Sequence, residues 1–122
     1  MTSKSVLVVE DDVNLVLFIE TALRAEGFDV VEAADGEEGE KQFKSGRKFD
    51  VVLTDVQLPK LTGDKLFYRL QAIEPDVKVI ASSGNAAPDL IRQLLRDGLC
   101  AFIPKPYRTR DLVEMVRVVS SD

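Results

Sequence analysis

Residues 5–12 read Ser-Val-Leu-Val-Val-Glu-Asp-Asp, a strand-forming run that passes directly into three acids. The centre of the run is continuously apolar, as a strand buried on both faces requires, and the same character returns at Val51–Thr54 (VVLT). Further short runs rich in β-branched residues lie at Asp29–Ala33 (DVVEA), Lys78–Ser82 (KVIAS) and Ala101–Pro104 (AFIP). Between them, helical periodicity predicts helices over Val13–Glu26, Glu37–Lys44, Gly63–Ile73, Asp89–Asp97 and Thr109–Val119. Gly27 and Gly98 fall where a helix C-terminus favours positive φ, and Pro88 where a first turn has no partner for an N–H. Leu112, Val116 and Val119 share one face of the last helix, as Ile91, Leu94 and Leu95 do on the one before. Five strand–helix units in series imply an α/β fold, a parallel sheet with helices on both faces and right-handed crossovers. Dinucleotide-binding and flavodoxin-like strand orders both satisfy this pattern, and both place ligands at the carboxyl ends of the strands.

Composition narrows the chemistry. The chain has 122 residues, the length of one domain, and its 45% hydrophobic content supports a true core. Its 16 Lys+Arg against 21 Asp+Glu give a net charge of −5, the wrong sign for a nucleic-acid footprint. With no His, Ser-His-Asp and Cys-His catalysis, His proton shuttles and His-containing zinc sites are all excluded. A single Cys cannot close an internal disulfide, so nothing points to an oxidising compartment. The apolar stretch Val6–Val9 is too short for a signal peptide or a membrane span. The reading is a soluble cytoplasmic protein, with no membrane partner, whose chemistry rests on carboxylates, hydroxyls and amines.

Glu10-Asp11-Asp12 follow the first strand, Asp55 the third, Ser83-Gly84 the fourth and Lys105-Pro106 the fifth. In a parallel sheet all four groups occupy one rim. Several carboxylates on one edge repel, so some protonate or a cation sits among them. Hard oxygen ligands suit Mg²⁺, and an ammonium with a small hydroxyl suits a phosphoryl group beside it. Each element has a plainer reading. Asp12 caps a helix, Asp55 forms a turn, Ser83-Gly84 is ordinary turn chemistry and Lys105 is a solvated loop residue. Four such groups on one rim, with the right residue types, argue against coincidence.

At VLVVEDD (Val6–Asp12), VVLTDVQLPKLTG (Val51–Gly63), SSG (Ser82–Gly84) and FIPKPY (Phe102–Tyr107) the sequence resembles receiver domains of two-component response regulators. The match covers essentially the whole chain, and its spacing agrees with the family's. The resemblance implies a (βα)5 flavodoxin-like, doubly wound five-stranded parallel sheet of order 2-1-3-4-5. It implies that Asp55 accepts a phosphoryl group and that Mg²⁺ (or Mn²⁺) is bound by Asp11, Asp55 and the main-chain carbonyl of Gln57, with Glu10 reaching it through water. Lys105 then balances the phosphoryl charge, Ser83 and Phe102 are switch positions, and Gln57 and Asn85 tune how long the phosphoryl survives. Asp12 has no site role in the pattern and stays a helix cap. Phe102 serves equally as core, Gly84 leaves room beside the phosphoryl, and Lys105–Pro106 resembles the family's cis peptide.

The resemblance also implies partners. The phosphoryl donor is a histidine kinase or a histidine phosphotransfer domain, docked through the first helix, whose Asn14, Leu15, Leu17 and Phe18 are candidates; Leu15 and Phe18 read equally as core. Output is read on the fourth helix, fifth strand and fifth helix, where Arg92, Arg96, Arg108, Arg110 and Arg117 give either a basic surface or a solvated face. Residues 1–122 read as one receiver without an output domain, stand-alone or drawn from a longer regulator or hybrid kinase. It acts as a monomer or a phosphorylation-dependent dimer on a downstream protein, and catalyses only its own phosphorylation and slow dephosphorylation. Three other readings fit less well. A haloacid-dehalogenase-type phosphatase wants Asp-x-Asp where Gln57 stands, and an FMN carrier wants a Gly- and hydroxyl-rich first loop where Glu10-Asp11-Asp12 stand. A degenerate receiver would lack the full set of Asp11, Asp55, Ser83 and Lys105.

Overall fold

The computed structural model describes residues 3–121, so Met1, Thr2 and Asp122 at the ends of the expected unit lie outside the described residues. Elements alternate without exception: β1 (Ser5–Val9), α1 (Val13–Ala25), β2 (Asp29–Ala33), α2 (Gly36–Lys44), β3 (Val51–Asp55), α3 (Gly63–Ile73), β4 (Val79–Ser83), α4 (Pro88–Arg96), β5 (Ala101–Pro104) and α5 (Thr109–Ser120). All strand pairings are parallel and the order is β2-β1-β3-β4-β5. Of the two strand orders open from periodicity, the flavodoxin-like one is present.

Alternation along each strand feeds two cores. Leu7, Val9, Val52 and Ala81 pack with Leu66, Phe67 and Leu70 of α3 and with Leu94 of α4. Val6, Val8, Leu53 and Ile80 pack with Ile19 and Leu23 of α1 and with Leu112 and Val116 of α5. Every residue of β3 and β4 is buried, which is why those runs read as unbroken rather than alternating.

Helix ends follow local chemistry. Asp12 caps α1, its Oδ1 accepting from the N–H groups of Asn14 (3.0 Å) and Leu15 (3.2 Å), and Asp35 caps α2 through Glu38 N–H (2.8 Å). Gly27 (φ 89°) and Gly98 (φ 114°) close α1 and α4 with paired main-chain bonds, Gly27 N to Arg24 O with Phe28 N to Leu23 O, and Gly98 N to Leu95 O with Leu99 N to Leu94 O. Pro88 opens α4.

Two expectations need correction. Leu95 is 43% exposed and does not share the buried face of Leu94, because α4 lies along the edge strand β5 and buries a narrow stripe. Asp55 and Ser83 are the last residues of their strands rather than the first beyond them. The ladder persists because Val56 N–H reaches Ser82 O and Lys105 N–H reaches Ser83 O, both at 2.9 Å.

Strand order reverses between β1 and β3, whose following helices α1 and α3 pack on opposite faces of the sheet. The carboxyl ends of these two strands flank the crevice where open α/β sheets bind ligands. Glu10, Asp11 and Asp55 sit there.

Candidate functional site: an acidic cluster bridged by Lys105

Glu10 leaves β1 still tied to the sheet, its N–H donating to Ala33 O at 3.0 Å. Its side chain is 5% exposed; Oε2 accepts from Asp12 N–H at 3.1 Å and Oε1 from Lys105 Nζ at 2.8 Å. Asp55 is similarly enclosed, with Oδ1 accepting from Gln57 N–H at 3.2 Å and Oδ2 from Lys105 Nζ at 2.9 Å. Asp11 is exposed beside them. Carboxylate oxygens of Glu10, Asp11 and Asp55 all lie within 4.8 Å of one another.

Three acids against one ammonium leave the cluster short of positive charge. Burial pushes the Glu10 carboxyl above the ordinary carboxylate range, opposed by Lys105 and the Asp12 N–H. Burial also works against the Lys105 ammonium, but its hydrogen bonds to Glu10 and Asp55 outweigh that and hold its pKa above the usual lysine value. A hard divalent cation fits this donor set: all-oxygen, acidic, two members buried and one open to solvent.

The loop from β3 to α3 turns back sharply on the site. Lys60 adopts φ 68°, and Gly63 N–H donates to Val56 O at 2.8 Å. A Cβ on Gly63 would stand 1.9 Å from the Asp55 carbonyl oxygen, so only glycine allows this approach. On the other side, Ser83 is 2% exposed; its Oγ donates to Gln57 Oε1 at 2.5 Å and accepts from Asn85 N–H at 3.1 Å. Lys105–Pro106 is cis. Lys105, Pro106, Tyr107, Gly84, Asp12 and Leu15 line a cleft of about 400 Å³ next to the cluster.

The structure thus brings Glu10, Asp11, Asp55, Lys105, Ser83, Gln57 and Asn85 to one rim. Phe102 stands apart from them, half-buried in β5 and packed against the α3 side of the core. Asp12 is a helix cap, its plainer reading. On α1, Leu17 and Phe18 are 63% and 65% exposed, Asn14 is exposed, and Leu15 is half-buried against the core; the buried stripe is Val16, Ile19 and Leu23. Phe18, which periodicity reads equally as docking face or core, is surface. Arg92 pairs with Asp89, while Arg117 pairs with Glu114 (2.8 Å) and with Glu26 at the end of α1. Both arginines are committed to ion pairs on a solvated face.

Tyr107 was not anticipated. It is half-buried on the α1 and α5 side, and burial there pushes its phenol up to about 12. Its place directly after Lys105-Pro106 was the available signal.

Residues 6–117 match the model of the response regulator receiver domain. The sensor kinase CckA of Brucella abortus is 35% identical over 116 residues, which are 94% of this chain and 12% of that protein. The chemotaxis protein CheY of Thermotoga maritima is 27% identical over 96% of this chain and 98% of its own length. Among solved structures, a CheY-like receiver domain protein from Methanospirillum hungatei superposes with a TM-score of 0.91 at 29% identity, covering 98% of this chain and 94% of that one. The chain spans about half or less of several curated relatives that it matches. No helix among the described residues is long and apolar enough to cross a membrane. By fold, by sequence and by the acids and lysine gathered at its strand ends, this chain belongs to the response regulator receiver domain family of two-component systems.

Proposed function

We propose that the chain is a phosphorylation-activated switch in a His-to-Asp relay, with Asp55 as the phosphoacceptor. The observation that carries this reading is the convergence of Glu10, Asp11, Asp55 and Lys105 at the strand-order reversal. An Asp55 carboxylate oxygen attacks the phosphorus of a phosphohistidine on a partner protein. The P–N bond breaks, the imidazole stays with the partner, and Asp55 carries an acyl phosphate. Having no His, the chain relies on a histidine kinase or phosphotransfer domain for the donor.

Asp11, Asp55, the Gln57 main-chain carbonyl and, through water, Glu10 would hold Mg²⁺ or Mn²⁺. When bound, that ion supplies the charge neutralisation that lets a dianionic donor approach an acidic cluster. Lys105, already bridging Glu10 and Asp55, transfers its hydrogen bonds to phosphoryl oxygens. Ser83 and Phe102 act as the switch pair, while Gln57 and Asn85 border the path of attacking water and set the phosphoryl lifetime. The exposed Val13, Leu17 and Phe18 receive the donor, and α4, β5 and α5 present the result to a downstream protein or output domain. In this reading residues 1–122 work as one receiver unit in the cytoplasm, catalysing only its own phosphorylation and slow dephosphorylation.

The deciding experiment is incubation with acetyl phosphate and Mg²⁺ followed by intact-mass measurement. A phosphate adduct on the wild type, absent in Asp55→Asn and absent without the cation, is the expected result. No adduct, or one retained in Asp55→Asn, overturns the assignment.

A further inference from the structure

A serine hydroxyl has one hydrogen to donate and two lone pairs with which to accept. At Ser83 the hydrogen is committed to Gln57 Oε1 at 2.5 Å, and a lone pair receives Asn85 N–H at 3.1 Å. The Asn85 side-chain oxygen stands at 3.5 Å, the limit of hydrogen-bonding range, and competes poorly for the same hydrogen. Ser83 is buried, whereas Gln57 lies exposed on the loop just beyond Asp55. The Gln57 main-chain N–H meanwhile donates to Asp55 Oδ1 at 3.2 Å. One residue therefore grips the carboxylate with its backbone and the hydroxyl with its side chain.

We infer that the Gln57 side chain is a latch on Ser83, a positioning residue that keeps the hydroxyl in its resting direction until a phosphoryl group on Asp55 takes the same hydrogen. The inference rests on Asp55 being the phosphoacceptor. Turning Ser83 toward a phosphoryl oxygen breaks its bond to Gln57 and makes another, so the latch opposes each phosphoryl-bound state by the strength of the bond broken. The exposed Gln57 amide finds water once released. The resting arrangement is thereby favoured, and a group bound to the other arrangement is held more weakly by that factor.

Gln57→Met keeps side-chain length and removes the acceptor. In metal-free full chain, the Ser83 and Asn85 amide resonances in a ¹⁵N–¹H spectrum are expected to move. With Mg²⁺ present, affinity for beryllium fluoride, a phosphoryl mimic, is expected to rise about three- to ten-fold, the worth of one neutral hydrogen bond. The gain is expected to vanish when Ser83→Ala is present in both proteins. Unmoved Ser83 and Asn85 resonances, unchanged or weaker beryllium fluoride binding, or a gain that survives Ser83→Ala overturns the latch. Wild-type protein that takes up no beryllium fluoride overturns the phosphoacceptor reading and the latch with it. Normal wild-type uptake that Gln57→Met leaves unaltered overturns the latch alone.

Discussion

Replacing Lys105 with Met removes the ammonium that joins Glu10 and Asp55 while keeping most of the aliphatic stem. Two hydrogen bonds disappear, at 2.8 and 2.9 Å, and two acids that are 5% and 7% exposed lose their shared cation. Stripping one partner from a fully buried pair costs about 3–5 kcal/mol. The Lys105 side chain is 23% exposed, so water offsets part of this and about 2 kcal/mol is the expected loss near neutral pH. For a chain of this size that corresponds to a fall in Tm of about 8 °C.

The loss should depend on pH in a definite direction. Burial raises the Glu10 carboxyl above its ordinary value of 4.5, and the Lys105 hydrogen bond is the largest influence lowering it. A carboxyl raised in the folded state contributes stability that is complete below the unfolded-state value and is lost as pH climbs through the folded one. Without Lys105 the Glu10 value rises further, so the loss deepens at neutral pH and narrows below about pH 4.5, where the carboxyl is protonated folded or unfolded. Urea unfolding of both proteins in metal-free buffer, followed by far-UV circular dichroism near pH 7 and near pH 4, measures this. Equal midpoints near pH 7, or an undiminished deficit near pH 4, would refute the bridging role of Lys105.

Gly63→Ala would ordinarily favour a helix by up to about 1 kcal/mol. Here its Cβ meets the Asp55 carbonyl oxygen at 1.9 Å, so thermal unfolding should show a net loss of about 2 kcal/mol or more as α3 is forced away. Asp12→Ala removes the α1 cap and should lower stability by about 1 kcal/mol while Mg²⁺ titration by calorimetry stays unchanged. Asp11→Ala should do the reverse, leaving unfolding nearly untouched and weakening Mg²⁺ binding.

The fold was readable because burial on both sides of a sheet leaves an uninterrupted apolar signature, visible at Val6–Val9 and Val51–Leu53. The candidate site was readable because parallel strands deliver their last residues to one edge, so Asp11, Asp55, Ser83 and Lys105 fall together once the sheet is read as parallel. What escaped depends on contacts between loops. Nothing in the spacing says that the Gln57 amide turns toward Ser83, or that the chain after Lys60 returns close enough to Asp55 to exclude a methyl group at residue 63. Phe18, readable as core or surface, and Leu95, read with the buried face but exposed, turn on another point. Each lies beside a true core position, Ile19 and Leu94, and which neighbour is buried depends on how the helix is rotated against the sheet.

The two cores on either side of the sheet share strands but not side chains. Leu23 and Phe67 belong to separate compartments, and a disturbance of packing around one meets the pleated backbone before it meets the other. A packing change on one side can therefore reach the other only through the peptide ladder or round its rim, where Lys105 joins Glu10 beyond β1 to Asp55 at the end of β3. The outermost rung between β3 and β4 sets Asp55, the acid of that bridge, opposite Ser82, so the candidate site and the last hydrogen bonds of the sheet share the same residues.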